Sequence, residues 1–342
     1  MLACGHSAAT KTSFVRQLSL LAEGLRALGV QTHLVTGADI QPARIPADTC
    51  AIVLLGYPDQ FPFLAARCRL SVPVFLWAQF SRPPDADSLA AVVAVPLTEI
   101  TRIHLTNAGI RPLGPTIPHA VDTRFYRPFG AQRRSACKQV YGWSDCFVVG
   151  TVGVNTTRKR FDRLLTAFAA LREKTDRARL LIKTDSERKT GGFDLPALTR
   201  RLGLQKVLKT VTGELSKQRM AEIYASMDVY AHVAEWEGFG IPVLEAMACG
   251  AVIVTHPIQG PAELLPYRET MVLQSELVRE GDSVLRWVDP RALAEVLQRV
   301  AASPDLRETL GRRGVAEARK YRPETVAAHW QTLLSGRRWP TE

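Results

Sequence analysis

The sequence predicts an α/β protein built from two doubly wound, Rossmann-like domains. Short apolar runs alternate with amphipathic stretches along nearly all of the 342 residues, a pattern typical of parallel strands joined by helical crossovers. The alternation stops once, at 112–128, where prolines and turn residues accumulate, and then restarts. A hydrophobic fraction of 46% over this length is sufficient for two cored domains. In such folds the ligands bind beyond the carboxyl ends of the strands.

The individual elements follow from periodicity and from turn residues. In the first half, a helix from Phe14 to Leu28 is expected to end at Gly29. The expected strands of this half are Met1–Cys4, Thr32–Thr36, Cys50–Gly56, Val74–Ala78 and Ala91–Val95. Those of the second half are Phe147–Val154, Leu180–Thr184, Val207–Thr212, Val229–Val233 and Ala251–Thr255. Helical runs are expected at Phe161–Leu171, Lys217–Ala225 and Pro242–Ala248, with a helical tail from Arg291 to about Leu334.

These elements suggest a division of the chain around the proline-rich break. We place a first domain at 1–125, on the acceptor side, and a second, nucleotide-binding domain at 126–325. The residues 326–342 then form a C-terminal helix, which we expect to pack back toward the first domain.

Composition limits the partners and the compartment. Lys and Arg number 44 against 33 Asp and Glu, a net charge of +11 that suits a nucleotide diphosphate, a membrane surface or a nucleic acid; an Arg-rich proteome would also produce it. Basic residues are not interleaved with aromatic ones on any element, so we predict no nucleic-acid partner. The six cysteines form no C-x-x-C pair, which indicates small buried thiols in a reducing compartment. We predict a cytoplasmic protein without a signal peptide or membrane span, and contact with the inner membrane face stays open.

The most informative segment is 228–250, DVYAHVAEWEGFGIPVLEAMACG. A buried strand is expected to end near Ala234, and the turn Gly238-Phe239-Gly240 then leads into a helix with Pro242 in its first turn. Glycines let the backbone approach a ligand, and a helix N-terminus presents free N–H groups to negative charge. Glu237 in the turn and Glu245 about one turn inside the helix can therefore bracket one ligand.

A second motif follows the first strand of the second half. Gly153 stands at the end of that strand, and the basic run Arg158-Lys159-Arg160 comes immediately before the helix expected at Phe161. Cations beside the positive end of a helix dipole are unfavourable by themselves. The motif therefore predicts a site for a phosphate group.

Together these segments resemble the signature of the family 4 glycosyltransferases. The shared features are two glutamates with seven residues between them, Gly-Phe-Gly after the first, and a glycine followed six residues later by a lysine. The connector at 117–123 and the Gly-x-x-Glu loop at 260–263 resemble the family as well. The resemblance implies the GT-B fold, in which two Rossmann-like domains face a cleft, and a retaining, nucleotide-sugar-dependent activity.

The resemblance also assigns roles to individual residues. It implies that the catalytic residues are Glu237, near the reacting carbon of the donor sugar, and Lys159, on the donor diphosphate. It places Glu245 on the ribose hydroxyls. The remaining donor-binding residues that it implies are Gly238, Phe239, Gly240, Gly153 and Gly5.

Two positions depart from the family pattern. Many members carry an arginine directly after the glycine, where this chain has Val154, and Arg158 is the candidate for the missing charge. Members often carry a histidine near the sugar after the fourth strand of the first domain. Here the candidates to replace it are Gln79, Arg82, His119 and His6.

The expected activity is therefore the transfer of a hexose-type sugar from a nucleotide diphosphate to an acceptor hydroxyl, in carbohydrate biosynthesis. No cofactor is expected, since the nucleotide sugar is itself the substrate. No metal is expected either, on the interpretation that the chain has no Asp-x-Asp cluster to hold a diphosphate-bound cation. The base, the oligomeric state and the acceptor (a sugar, a lipid-linked molecule or a protein) stay open. The alternative is a catalytically weak or inactive GT-B subunit that binds a nucleotide or a partner protein. A dehydrogenase is disfavoured, because no G-x-G-x-x-G opens a helix.

Overall fold

A computed structural model divides the chain into two compact units. It describes residues 1–4, 13–36, 45–57, 60–61, 72–79, 89–90, 92–111, 113–280 and 283–336. One unit comprises Met1–Asp122 together with Lys320–Glu342, and the other is Thr123–Arg319. The chain thus builds most of the first unit, then the whole of the second, and returns to the first with its C-terminal segment.

The first unit contains a five-stranded parallel sheet in the order β2-β1-β3-β4-β5. Its central strands are buried along their length because helices cover an all-parallel sheet on both faces. The strands are β1 (Leu2–Cys4), β2 (Leu34–Thr36), β3 (Ile52–Leu55), β4 (Val74–Ala78) and β5 (Val93–Pro96). Among the described residues, the helices that precede the second unit are α1 (Ser13–Ala27) and α2 (Glu99–Asn107).

The second unit contains another five-stranded parallel sheet, in the order β10-β9-β6-β7-β8, and a separate antiparallel hairpin. The sheet strands are β6 (Phe147–Val152), β7 (Ala178–Lys183), β8 (Leu208–Val211), β9 (Val229–Ala231) and β10 (Val252–Val254). The hairpin strands are β11 (Ser275–Glu280) and β12 (Ser283–Val288). The helices are α3 (Ala131–Gln139), α4 (Phe161–Arg172), α5 (Leu195–Arg201), α6 (Lys217–Ser226), α7 (Ile241–Ala248), α8 (Pro261–Leu264), α9 (Pro290–Ala302) and α10 (Pro304–Ala318).

The C-terminal helix α11 (Pro323–Leu334) packs against α1 in the first unit. The approach is close: a Cβ on Gly24 would lie 2.6 Å from the Cβ of Ala327 and 2.7 Å from the carbonyl oxygen of Pro323. Trp330 of α11 meets Trp77 of β4 edge-on, with ring centroids 5.4 Å apart. Only glycine fits at this contact, so position 24 fixes how closely the two helices can pack.

The expected helical tail is in fact three helices. Each starts with a proline, because proline is tolerated in the first turn, where its missing N–H has no helical partner. Asp289 and Ser303 cap α9 and α10 through side-chain oxygens that accept from backbone N–H groups. The interpretation of the cysteines also needs correction, since Cys50 is exposed, although Cys137 and Cys249 are buried. Among the described residues, no helix has the length and apolar character needed to cross a membrane.

A buried ion cluster ties α3 to the sheet of the second unit. Asp228, just before β9, contacts Arg134 and Lys138, with N–O distances of 2.7 Å in both pairs. The same carboxylate accepts from the backbone N–H of Val148 at 2.7 Å. Its side chain is only 11% exposed. The cluster therefore joins two strands and one helix at the amino ends of the strands.

Asp228→Ala is expected to destabilise the protein by about 3–5 kcal/mol, because it leaves the buried Lys138 ammonium and the Val148 N–H without their carboxylate. Urea unfolding followed by circular dichroism measures the change. The control is Asp145→Ala, which removes an exposed carboxylate of the same unit. A loss below about 1 kcal/mol for Asp228→Ala, comparable to that of a surface pair, would contradict the prediction.

Candidate active site

The candidate site lies at the carboxyl ends of two adjacent strands. β6 and β9 pair in parallel, so the loops that follow them leave the same edge of the sheet. The loop after β6 carries Lys159 and the loop after β9 carries Glu237. The Lys159 Nζ lies 2.5 Å from the Glu237 Oε2. The structure therefore brings together the two residues that the sequence proposed as catalytic.

Gly153 lets the lysine reach this position. A Cβ there would lie 3.2 Å from the Cε and 3.3 Å from the Cδ of Lys159, so the aliphatic stem passes against the glycine backbone. Lys159 ends a short 3-10 turn, Thr157–Lys159, and is only 9% exposed. The contact of Gly153 in this structure is therefore with the stem of the lysine.

Arg158 brings a second cation to the same carboxylate. Its Nη1 lies 3.4 Å from the Glu237 Oε2 and donates to the carbonyl oxygen of Trp236 at 3.0 Å. The guanidinium also lies over the Trp236 ring, 4.8 Å from its centroid. Val154, where many family members have arginine, is exposed. Arg158 therefore approaches the site from a different backbone position.

The environment keeps Glu237 ionised. Burial by itself would raise the pKa of this carboxyl, but the charges of Lys159 and Arg158 and the neighbouring His232 outweigh burial and hold the pKa well below its usual range. At neutral pH Glu237 is consequently a carboxylate that accepts hydrogen bonds and cannot serve as a proton donor.

The sequence analysis did not single out His232. Its Nε2 lies 3.7 Å from the Glu237 Oε2, beyond hydrogen-bond distance, and its side chain is 4% exposed. Burial is the largest influence on His232 and lowers its pKa, so the imidazole is neutral at neutral pH. The signal available in the sequence was a histidine just past a buried strand, five residues before Glu237.

Backbone geometry shapes the glycine-rich turn before α7. Gly240 has a φ of +94°, and Gly260 of the neighbouring loop has a φ of +66°. A Cβ on Gly260 would lie 2.6 Å from both the Cα and the carbonyl oxygen of Phe239. Phe239 is itself only 3% exposed, and Gly238 is buried as well. The phenyl ring is therefore part of the core, and the turn offers a ligand its backbone.

Glu245 is held from the interior of the unit. It is the fifth residue of α7 and is half-buried. The hydroxyl of Tyr224 on α6 donates to its Oε2 at 2.7 Å. Burial first, and the Glu245 charge second, raise the pKa of Tyr224 well above its ordinary value, so this hydroxyl stays protonated. A fixed carboxylate of this kind can accept from two adjacent hydroxyls of a ligand.

The residues proposed in the first domain are placed only in part. Gly5, His6 and Arg82 lie outside the described residues. Gln79 follows β4 and is half-buried. His119 is completely buried, its ring 4.6 Å from that of Trp77, and burial lowers its pKa to about 3. Of these candidates, His119 is therefore a neutral core residue of the first unit.

The described part of the chain brings together no group of three or more His, Cys, Asp or Glu side chains suited to a metal ion. The expectation of no metal overlooked one Asp-x-Asp pair in the sequence, Asp85 and Asp87, which lies outside that part. Metal independence accordingly stays a prediction.

Comparison with known proteins decides the family. The family model described as glycosyl transferases group 1 matches residues 137–315, just over half of the chain. The chain belongs to this family. The matched region includes Lys159, Glu237 and Glu245, so the candidate site falls within the family's defining segment.

Curated relatives of this group 1 protein carry specific names. It is 28% identical over 245 residues to a D-inositol 3-phosphate glycosyltransferase of Actinosynnema mirum, covering 69% of this chain and 54% of the relative. It is 31% identical over 191 residues to a GDP-mannose-dependent alpha-mannosyltransferase of Mycolicibacterium smegmatis, covering 55% and 43%. The chain thus spans about half the length of these relatives.

Solved structures establish the fold of this group 1 protein as GT-B. A crystal structure of Anabaena Alr3699/HepE in complex with UDP and glucose superposes with a TM-score of 0.74 at 16% identity, covering 98% of this chain and 99% of the other. The sucrose-phosphate synthase of Thermosynechococcus elongatus superposes with a TM-score of 0.74 at 18% identity, covering 98% of each chain. The fold predicted from the sequence is therefore confirmed.

Proposed function

We propose that this protein is a retaining glycosyltransferase that moves a hexose-type sugar from a nucleotide diphosphate to an acceptor hydroxyl. The observation that carries the proposal is the convergence of Lys159 and Arg158 on Glu237, beside the glycine-rich start of α7. Membership of the group 1 family and the names of the relatives support it.

The two cations suit the donor diphosphate. When the bond between sugar and phosphate breaks, negative charge develops on the departing diphosphate, and preorganised cations stabilise that charge. The Nζ of Lys159 would exchange the Glu237 carboxylate for a phosphate oxygen, and Arg158 would support it. The backbone N–H groups at the start of α7 add further donors for an anion. We propose that no metal ion is required.

Glu237 is suited to bind the donor sugar and to stabilise its transition state. An ionised carboxylate accepts hydrogen bonds from sugar hydroxyls and favours the positive charge of an oxocarbenium-like transition state. The acceptor hydroxyl would attack the anomeric carbon from the face that the diphosphate leaves, which retains the configuration without a covalent intermediate. Because its pKa is held well below the usual range, Glu237 is a weak base for the acceptor proton, which would pass to the departing phosphate oxygen.

Glu245 suits the ribose of the donor, and its substitution tests the donor site directly. Thermal unfolding is measured with UDP, GDP, ADP and their sugar conjugates. We expect one nucleotide to raise the Tm of the wild type. Glu245→Ala should lower the affinity for that nucleotide by about 10- to 100-fold, because it removes charge-assisted hydrogen bonds. The control Glu295→Ala removes an exposed carboxylate from α9 and leaves the shift intact.

The outcomes separate the proposal from its alternative. No shift with any nucleotide would overturn the donor site. A shift without transfer or hydrolysis of the donor would instead favour the inactive nucleotide-binding subunit. We propose that the acceptor and the base are set by loop shape, and that the protein acts in the cytoplasm, where its excess of basic residues would favour an anionic membrane face.

A further inference from the structure

The hairpin β11–β12 reaches the candidate site through one aromatic side chain. Trp287 stands opposite Glu276 in the hairpin register, and its indole Nε1 donates to the Glu235 Oε2 at 2.7 Å. The Arg160 guanidinium lies over the indole ring, 3.7 Å from its centroid, and Arg163 lies 5.1 Å away on the same ring. Trp287 therefore contacts both loops that carry the Lys159–Glu237 pair.

The two partners of Trp287 flank that pair in the sequence. Arg160 directly follows Lys159, and Glu235 comes two residues before Glu237. The loops are also joined to each other, because the backbone N–H of Glu235 donates to the carbonyl oxygen of Arg158 at 2.9 Å. A change in the position of Trp287 would thus displace both the loop that carries Lys159 and the loop that carries Glu237.

Arg160 has an unusual backbone conformation. Its φ of +50° makes it the one non-glycine residue with positive φ among those described. Such a conformation costs of order 1–3 kcal/mol and persists only where the surroundings enforce it. Here the guanidinium is held by the stack on Trp287 and by Asp162, whose carboxylate lies 2.5 Å from its Nη2. The left-handed residue turns the chain from the 3-10 turn into α4, directly after Lys159.

The indole of Trp287 fixes a second carboxylate, that of Glu235, close to the site. A second carboxylate two residues from Glu237 would compete for Lys159 and Arg158. The Trp287 N–H holds the Glu235 carboxylate on the hairpin side, and no ion pair from Glu235 to either cation is observed in the described part of the chain. The two cations are therefore left to Glu237.

We propose that Trp287, Glu235 and Arg160 form a brace that positions Lys159 against Glu237 and so sets the affinity for the donor diphosphate. These are positioning residues, and the link to the donor rests on the proposed function above. The brace itself is a property of the chain that does not depend on any ligand. Two separate measurements can therefore test the two statements.

The first measurement is the reactivity of Lys159. In the wild type its ammonium is buried and paired, so acetylation at neutral pH, followed by mass spectrometry, should be slow. Trp287→Leu removes both the stack and the N–H, and we expect Lys159 to react about tenfold faster relative to the exposed Lys174. The matched control Trp143→Phe changes a buried tryptophan of the same unit and should leave the ratio unchanged. An unchanged ratio in Trp287→Leu would overturn the brace, whatever the nucleotide results show.

The second measurement separates positioning from general stability. Glu235→Ala should raise the KM for the donor about tenfold with a smaller change in kcat, whereas Glu235→Gln retains an acceptor for the indole N–H and should restore a KM within about threefold of wild type. Equal Tm values for the two variants show that the fold is intact. A donor KM that stays unchanged in Glu235→Ala while Lys159 reactivity rises would overturn the statement that the brace sets the affinity for the donor. A wild type that binds no nucleotide refutes the proposed function, and the reactivity ratio still decides the brace.

Discussion

Lys159→Met is expected to lower kcat/KM for the donor by about 100- to 1,000-fold, the usual cost of removing one preorganised group that stabilises developing charge. The lysine is 9% exposed and its Nζ lies 2.5 Å from the Glu237 Oε2, so it is already fixed before the donor binds. Methionine keeps the stem that passes Gly153 and removes only the ammonium. Steady-state kinetics with the nucleotide sugar found in the thermal-shift experiment measures the effect.

Two further variants serve as comparisons for Lys159→Met. Lys174→Met removes an exposed ammonium just beyond the far end of α4 and should leave kcat/KM unchanged. Arg158→Met should cost less than Lys159→Met, because Arg158 is about one-third exposed and 3.4 Å from the carboxylate oxygen. If Lys159→Met retained more than about a tenth of the wild-type kcat/KM, the lysine would not be holding the diphosphate in the transition state.

Much of the second unit could be predicted because local signals agreed with the fold. The strand at Val229–Ala231, the helix at Ile241–Ala248 and the strand at Val252–Val254 were each expected within two residues of their observed limits. Buried parallel strands are continuous apolar runs, and Gly240, Pro242 and Gly250 mark the limits of the helix between these two strands. The roles of Glu237 and Lys159 came from the family resemblance, and the structure brings the two side chains together because the adjacent parallel strands β6 and β9 end at the same edge of the sheet.

The brace could not be predicted in this way. The hairpin β11–β12 was not expected, because its strands mix charged and apolar residues and lack the continuous apolar run of a buried strand. The contact from Trp287 to Arg160 joins residues 127 positions apart, and a stack of this kind leaves no periodic signal. His232 was missed for a related reason, since burial at 4% exposure depends on the packing of the whole unit.

The position of Arg158 shows where a motif can mislead. The family pattern has its arginine directly after the glycine, and this chain has the exposed Val154 there. Sequence spacing alone would suggest that one phosphate contact is lost. In the structure the Arg158 guanidinium, carried by the 3-10 turn, reaches the same carboxylate oxygen as Lys159. Charge at a site depends on where a side chain ends, and long side chains can supply it from several backbone positions.

Glu237→Gln is expected to have an effect of opposite sign on binding and on turnover. The amide has nearly the same shape but no charge, so kcat should fall by about 100- to 1,000-fold because the oxocarbenium-like state loses its carboxylate. The free nucleotide diphosphate should bind as tightly as in the wild type or more tightly, because Lys159 no longer has to leave a 2.5 Å ion pair. Single-turnover kinetics and calorimetric titration measure the two quantities. Loss of nucleotide affinity together with kcat would show instead that Glu237 holds the lysine in place and has no role of its own at the sugar.

The pH dependence of stability provides a check that needs no substrate. The pKa of Glu237 is held well below its usual range in the folded protein, so near its titration the unfolded chain binds more protons. Its contribution to the free energy of unfolding is therefore complete above the pKa of an unfolded glutamate and is lost as the pH falls toward the folded value. Glu237→Gln lacks this titration, so the stability difference between wild type and variant should shrink on acidification. Glu173→Gln, at an exposed position, serves as the control, and a difference that stays constant with pH would mean that the carboxylate is not paired in solution.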